Sequence, residues 1–165
     1  MQIIPLLVKE LDDEVATLRK FLELVPGDKF RWKPDKKSMS MQLLAVHLAE
    51  IPGWIDTALT TNELDFAKTP YEPTPVKSTK ELLDLLEETY KKGKTRLNNA
   101  HEDDLLPNWT MRSGDQVYWV FTKYEVIRHA LGQIIHHRAQ LGVYFRLLDI
   151  AVPPSFGPTA DDQME

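Results

Sequence analysis

The chain has 165 residues, with 20 Lys+Arg against 25 Asp+Glu, a net charge of −5 with histidines neutral, and no cysteine. That length fits one domain over residues 1–165, since a domain usually spans ~100–200 residues, and 42% apolar with 27% charged residues is the composition of a folded chain with a buried core. The lack of cysteine excludes a disulfide framework, a Cys-based zinc site and a cysteine nucleophile, and the acidic balance without a Lys/Arg block argues against a nucleic-acid partner.

No segment reaches the ~20 apolar residues needed to span a bilayer. The start lacks the basic, apolar and small-residue regions of a signal peptide. No membrane partner is expected, and the expected location is the cytoplasm.

Helical periodicity dominates. The first predicted helix runs from about Pro5 to Leu24, with Leu7, Leu11, Val15, Leu18 and Leu22 on one face; Pro5 suits its first turn and Pro26-Gly27 stops it. The second begins after Pro34, capped by Ser38 or Ser40, and carries Leu43, Leu44, His47, Leu48 and Ile51 on one face. Pro52 breaks or kinks it, with Trp54, Ile55 and Leu59 continuing. Residues 60–77 read as a long loop punctuated by Pro70, Pro73 and Pro75. Ser78-Thr79-Lys80-Glu81 is a capping box for the third helix, whose inward residues are Leu82, Leu83, Leu86 and Tyr90 and which ends near Asn99.

Residues 100–121 form another long connection, in which Ser113-Gly114-Asp115 between Trp109-Thr110-Met111 and Val117-Tyr118-Trp119-Val120 has the form of a hairpin. A second capping box, Thr122 to Glu125, opens the fourth helix, which continues to about Asp149 with Ile127, Ala130, Ile134, Leu141, Phe145 and Leu148 inward. The tail from about residue 150 is too proline-rich for regular structure. Four amphipathic helices with two long connections predict an all-α four-helix bundle.

Chemistry concentrates in the histidines. His101 reads as a solvated loop residue, His47 lies on the apolar face of the second helix, and His129, His136 and His137 lie on the fourth with Gln133. At about 100° per residue, with His129 at zero, Gln133 falls at about 40°, His136 at about −20° and His137 at about 80°, against an apolar stripe centred at about 120°. His137 is therefore the most inward histidine of the three. Residues at i and i+4 can converge on one ion, so Gln133 and His137 form a candidate ligand pair with His47 from a facing helix. His129 with Gln133 is the competing pair, one turn away. Three ligands with an open position would be a catalytic metal arrangement; the plain alternative is hydrogen-bonded core histidines.

Other candidates have modest roles. Glu50, three residues after His47, is placed to orient that histidine or act as a base, but the plainer reading as an exposed helix-face carboxylate is preferred; Glu125 reads as a cap and Arg138 as a surface ion-pair partner rather than a substrate contact. Trp32, Trp54, Trp109 and Trp119 read mostly as plugs between connections and core, with Trp54 the best pocket residue because it follows His47 past Pro52.

The segments Ser40–Glu50 and Arg128–Leu141, the latter with its double histidine followed by Arg, a small residue and Gln, resemble the DinB-like (YfiT-like) bundle family. The ending Val152-Pro153-Pro154-Ser155-Phe156-Gly157-Pro158-Thr159-Ala160-Asp161 is similar to that family's tail. The resemblance implies a four-helix bundle in which three histidines, one from the second helix and two from the fourth spaced by four, bind a divalent metal, often nickel or zinc. Carried over by position, the ligands are His47, Gln133 and His137, with His129 as the alternative. Gln133 departs from the family's usual histidine: an amide oxygen is a harder donor than imidazole, so the implied site is weaker, holds another ion, or is empty.

Family members with assigned activities include transferases using low-molecular-weight thiols such as bacillithiol or mycothiol, and a mycothiol-dependent maleylpyruvate isomerase. The expected function is thus metal-dependent activation of a small thiol (S-transfer) or water (hydrolysis) against a small-molecule electrophile. The alternative is a non-catalytic binding or interaction bundle with a degenerate metal site. Bundles of this kind commonly self-associate, which makes a homodimer an expectation as well.

Overall fold

A computed structural model describes residues 2–162 of the chain. Helix α1 (Ile4–Glu23) has Pro5 in its first turn and buries Leu7, Leu11, Val15, Leu18 and Leu22. Its first amides have no side-chain cap of their own. They donate instead to Glu102 across the fold, from Ile3 at 2.8 Å and Ile4 at 3.1 Å, which neutralises donors that a helix start otherwise leaves unpaired.

Ser40, not Ser38, caps α2 (Met41–Glu50), accepting from the Leu43 amide at 3.1 Å. Pro52 cannot donate to the helical ladder, so the rod passes through a 3-10 turn at Ile51–Gly53 before resuming as α3 (Trp54–Thr60). The kink seats against α4 (Thr79–Asn98) at Gly93, where a Cβ would stand 2.3 Å from the Pro52 carbonyl oxygen; only glycine admits that approach. Ser78 caps α4 as its sequence predicts, but the Glu81 carboxylate reaches back to the Lys77 amide, not to that of Ser78. The long helix α5 (Lys123–Leu147) opens on a complete capping box between Thr122 and Glu125. Helix α1 packs on α4 and α5, and α2 packs on the same two, so one continuous core runs between them. Among the described residues no helix is long and apolar enough to cross a membrane.

The expectation of an all-α bundle is corrected by a three-stranded mixed sheet in the order β1-β2-β3. Strands β2 (Asn108–Ser113) and β3 (Gln116–Thr122) form the antiparallel hairpin read from the sequence, turning at Gly114, whose φ of +57° favours glycine. Strand β1 (Glu63–Asp65), inside the segment expected to be loop, pairs parallel to β2. The physical reason is a contact between segments far apart in the chain. Trp109 is only 1% exposed, and its indole nitrogen donates to Thr61 at 2.9 Å, which brings the chain after α3 alongside β2. Aromatic residues of β3 then pack toward α5. Nothing after Leu148 forms helix or strand among the described residues, as expected for the proline-rich tail.

Candidate functional site

The α2 and α5 rods bring their histidines together. The rings of His47 and His137 lie 4.8 Å apart between centroids, at 79° to each other. His137 is 9% exposed and His47 half-buried. Burial pushes the His47 imidazole below its usual pKa, and His137 adds to that push while Glu50 opposes it. Burial also lowers His137, His136 acts in the same direction, and a hydrogen bond to Gln140 opposes them. Each cause is the ordinary one: a buried or repelled imidazole disfavours its charged form.

The tautomer of His137 follows from its partner. Its Nδ1 stands 2.8 Å from the Gln140 side-chain oxygen. With the Gln140 amide in this orientation its oxygen accepts, so Nδ1 carries the proton and Nε2 keeps its lone pair; the flipped amide would reverse the two roles. Gln140 is fixed in turn by its amide nitrogen, 3.1 Å from His136 Nε2. Gln140 is a positioning residue that sequence reading missed. Its spacing, three residues after His137 and four after His136, was the available signal.

Gln133, His129 and His47 line one small cavity of about 180 Å³, together with Ile51, Trp54, Phe66, Met111 and Ala130. The structure thus brings Gln133 to the His47 end of the bundle. The His129 ring packs toward the sheet, 5.8 Å from Trp119 and 6.3 Å from Phe121. Exposed His136 contacts the outer side of His137. His101 is exposed and caps a 3-10 turn at Glu102–Leu105.

A second cavity, about 450 Å³, opens beside His47 and is bounded by Glu50, Trp54, Phe66 and Tyr71 among others. Trp54 lines both cavities, whereas Trp109 is a core plug against Trp119. Two expectations from the sequence need correcting. Glu50 is not a free surface carboxylate: it accepts from Tyr71 and Thr74 and holds the 71–74 loop beside His47. Arg138 is not at the surface but buried, ion-paired with Glu14 of α1. Tyr71 was missed as well, although an aromatic set between Pro70 and Pro73 marks a stiff loop able to present it.

The donor set that the resemblance implies is two imidazoles and one amide oxygen; the two imidazoles lie side by side, and Gln133 shares a cavity wall with His47. Among the described residues no cluster of three His, Cys, Asp or Glu side chains is placed to hold a metal, so a three-imidazole centre is not built here. A mixed set of His47, His137 and Gln133 remains chemically suited to a divalent cation, because imidazole favours nickel and zinc while the amide oxygen tolerates harder ions.

Comparison with known proteins places this architecture. A model described as the DinB family matches residues 2–162. Among solved structures, a DinB-like protein (YjoA) of Bacillus subtilis has TM-score 0.71 and 18% identity, covering 93% of this chain and 99% of that one. A protein ascribed to the DinB family from Exiguobacterium sibiricum has TM-score 0.68 and 21% identity, covering 93% and 97%. A DinB-like protein of Bacillus cereus has TM-score 0.67 and 15% identity, covering 90% and 94%. At these identities the structural likeness is one of fold. No protein of curated function matches the chain.

Proposed function

This chain belongs to the DinB family, and on that premise we propose that it is a divalent-metal-dependent enzyme acting on a small electrophile, with His47, His137 and Gln133 as the metal ligands. The reading is carried by one observation: two imidazoles from separate helices whose rings lie 4.8 Å apart. Burial favours the neutral form of both, and the neutral imidazole is the form that ligates. Gln140 holds the His137 ring and keeps the Nε2 lone pair free, the second-layer support that ligand histidines commonly have. When bound, a divalent ion supplies a Lewis acid that lowers the pKa of a thiol or water at its open position.

The chain's own groups supply the rest. Trp54 and Phe66 wall both cavities that meet at His47. Glu50 and Tyr71 keep the neighbouring loop in place. With no cysteine in the chain, sulfur chemistry requires a separate low-molecular-weight thiol, and water as nucleophile makes the reaction a hydrolysis.

Gln133 favours a second reading, a small-molecule-binding bundle without catalysis, since an amide oxygen weakens a nickel or zinc site relative to a third imidazole. Metal titration separates the two. On the first reading the purified protein holds near-stoichiometric nickel or zinc, His47→Ala loses it, and Gln133→His tightens binding. A protein that binds neither ion, with a His47→Ala variant indistinguishable from the parent in fold and metal content, returns the bundle to a binding role.

A further inference from the structure

We propose that the larger cavity beside His47 takes an aryl group, so that the small electrophile of the proposed reaction is an aromatic compound. This assignment rests on that reading for the chemistry at His47, but not for the fit of the ring. The cavity encloses about 450 Å³, and Trp54, Leu64, Phe66 and Tyr71 contribute its apolar wall, a size and lining suited to a small organic ligand. It shares His47, Trp54 and Phe66 with the adjoining 180 Å³ cavity, where Gln133 lies. A ring held in the larger space therefore stands next to the His47 imidazole, with its substituent toward the histidine group.

The rings of the wall stand around a gap. Trp54, Phe66 and Tyr71 line one space, yet none of the three pairs with another of them. Tyr71 lies edge-on to His47 at 6.2 Å between centroids, and Phe66 lies 6.4 Å from Tyr118 of β3. The other three tryptophans each rest against a neighbouring ring: Trp32 on Tyr144 at 5.4 Å, Trp109 on Trp119 at 5.5 Å, and Trp119 on Phe121 at 4.3 Å. Trp54 has no ring partner among the described residues, although it is half-buried beside the cavity. Aromatic rings gain from edge-to-face or offset contact at about 4.5–7 Å between centroids, beyond what burial alone supplies. A flat ring in the cavity completes that contact for Trp54. The wall is also set in advance, because Glu50 accepts from the Tyr71 hydroxyl and holds that side in place. Ring contact does not depend on net charge, so a divalent ion at His47 leaves the preference standing.

The test compares two uncharged probes of similar size, benzyl alcohol and cyclohexylmethanol. Both carry the same hydroxyl, so a bound ion and the Glu50 and Glu72 carboxylates of the wall act on them alike. The saturated probe has the larger apolar surface, and a cavity that selects by the hydrophobic effect alone ranks it first. Each probe is titrated into the full chain as purified, with no chelator, and followed by ligand-observed NMR. Benzyl alcohol should bind roughly three- to tenfold more tightly, the size expected of added ring contacts. Trp54→Phe should keep this preference and Trp54→Leu should remove it; if Trp54→Leu does not fold, Phe66→Leu takes its place. Cyclohexylmethanol binding as tightly as benzyl alcohol or more so, no binding by either, or an unaltered preference in the leucine variant overturns the assignment. Metal content, measured by elemental analysis on the same untreated protein, keeps the two proposals apart. Aromatic preference in metal-free protein sinks the metal reading alone, and near-stoichiometric metal without aromatic preference sinks the cavity assignment alone.

Discussion

The hydroxyl of Tyr71 donates to the Glu50 carboxylate at 2.7 Å and thereby ties the proline-rich loop after β1 to the helix that carries His47. The other carboxylate oxygen accepts from the Thr74 amide at 2.8 Å and the Thr74 hydroxyl at 2.6 Å. The Tyr71 ring lies edge-on to His47, 6.2 Å between centroids. One acidic side chain therefore fixes a loop that has little regular structure of its own. Glu50→Ala removes all three bonds and Tyr71→Phe only one. Each hydrogen bond contributes about 1 kcal/mol net, and the loop is largely exposed, so global stability should change little in either variant. Amide hydrogen exchange over residues 66–76 should accelerate, more in Glu50→Ala than in Tyr71→Phe, while α1 and α4 keep their protection. Equal protection of the loop in parent and variants would show that the tether does not hold it.

Helices α1 and α5 are joined by a different device, the buried ion pair of Glu14 with Arg138, whose side chains are 9% and 3% exposed. The guanidinium also lies 6.0 Å from the Phe21 ring and 5.6 Å from that of Phe156 in the tail. Removing one partner strands the other charge in a dry site, which costs about 3–5 kcal/mol. At about 2–4 °C per kcal/mol for a chain of this size, Glu14→Leu or Arg138→Met should each lower Tm by roughly 10 °C. The double variant removes both charges and replaces them with apolar volume, so it should recover most of the loss. Thermal melts of the three variants check this. Losses that simply add in the double variant would mean the two side chains are not coupled in the interior.

The four rods were legible in the sequence because apolar steps of three and four, the Ser78 and Thr122 caps and the Pro52 break act within a few residues of chain. The hairpin was legible for the same reason, through Gly114 between two β-prone runs. Strand β1 was not: Glu63-Leu64-Asp65 is three residues long, and its order comes from β2, far along the chain. The positions of His47 and His137 on their wheels identified inward faces, but the height at which the two rings meet is set by the packing of α2 on α5, which no local pattern carries. Arg138 was misplaced because its wheel position lies near the edge of the apolar stripe, and only the facing Glu14 makes burial affordable. Glu50 was undervalued because its partners sit on a loop with no periodicity to read.

Asp65 offers a test of how the sheet is attached. Its carboxylate accepts from the Gly114 amide at 2.9 Å and the Ala67 amide at 3.0 Å, linking the end of β1 to the turn between β2 and β3. The Gly114 bond above all holds its pKa below the ordinary aspartate value, with Ala67 and Lys68 acting the same way against a smaller opposing effect of burial. A lowered pKa means that the unfolded chain binds the proton more readily than the folded one. The stabilisation is thus fully present above the ordinary value of about 4 and is lost as pH falls through the lower folded value. Asp65→Asn keeps an acceptor oxygen but removes the titration. Its Tm should therefore decline less steeply than the parent's as pH falls below about 4, and the Gly114 amide should exchange faster near neutrality because a neutral acceptor holds it less strongly. Parallel Tm profiles through the acid range, with unchanged Gly114 exchange, would mean that the charge on Asp65 contributes nothing to fastening β1 to the hairpin.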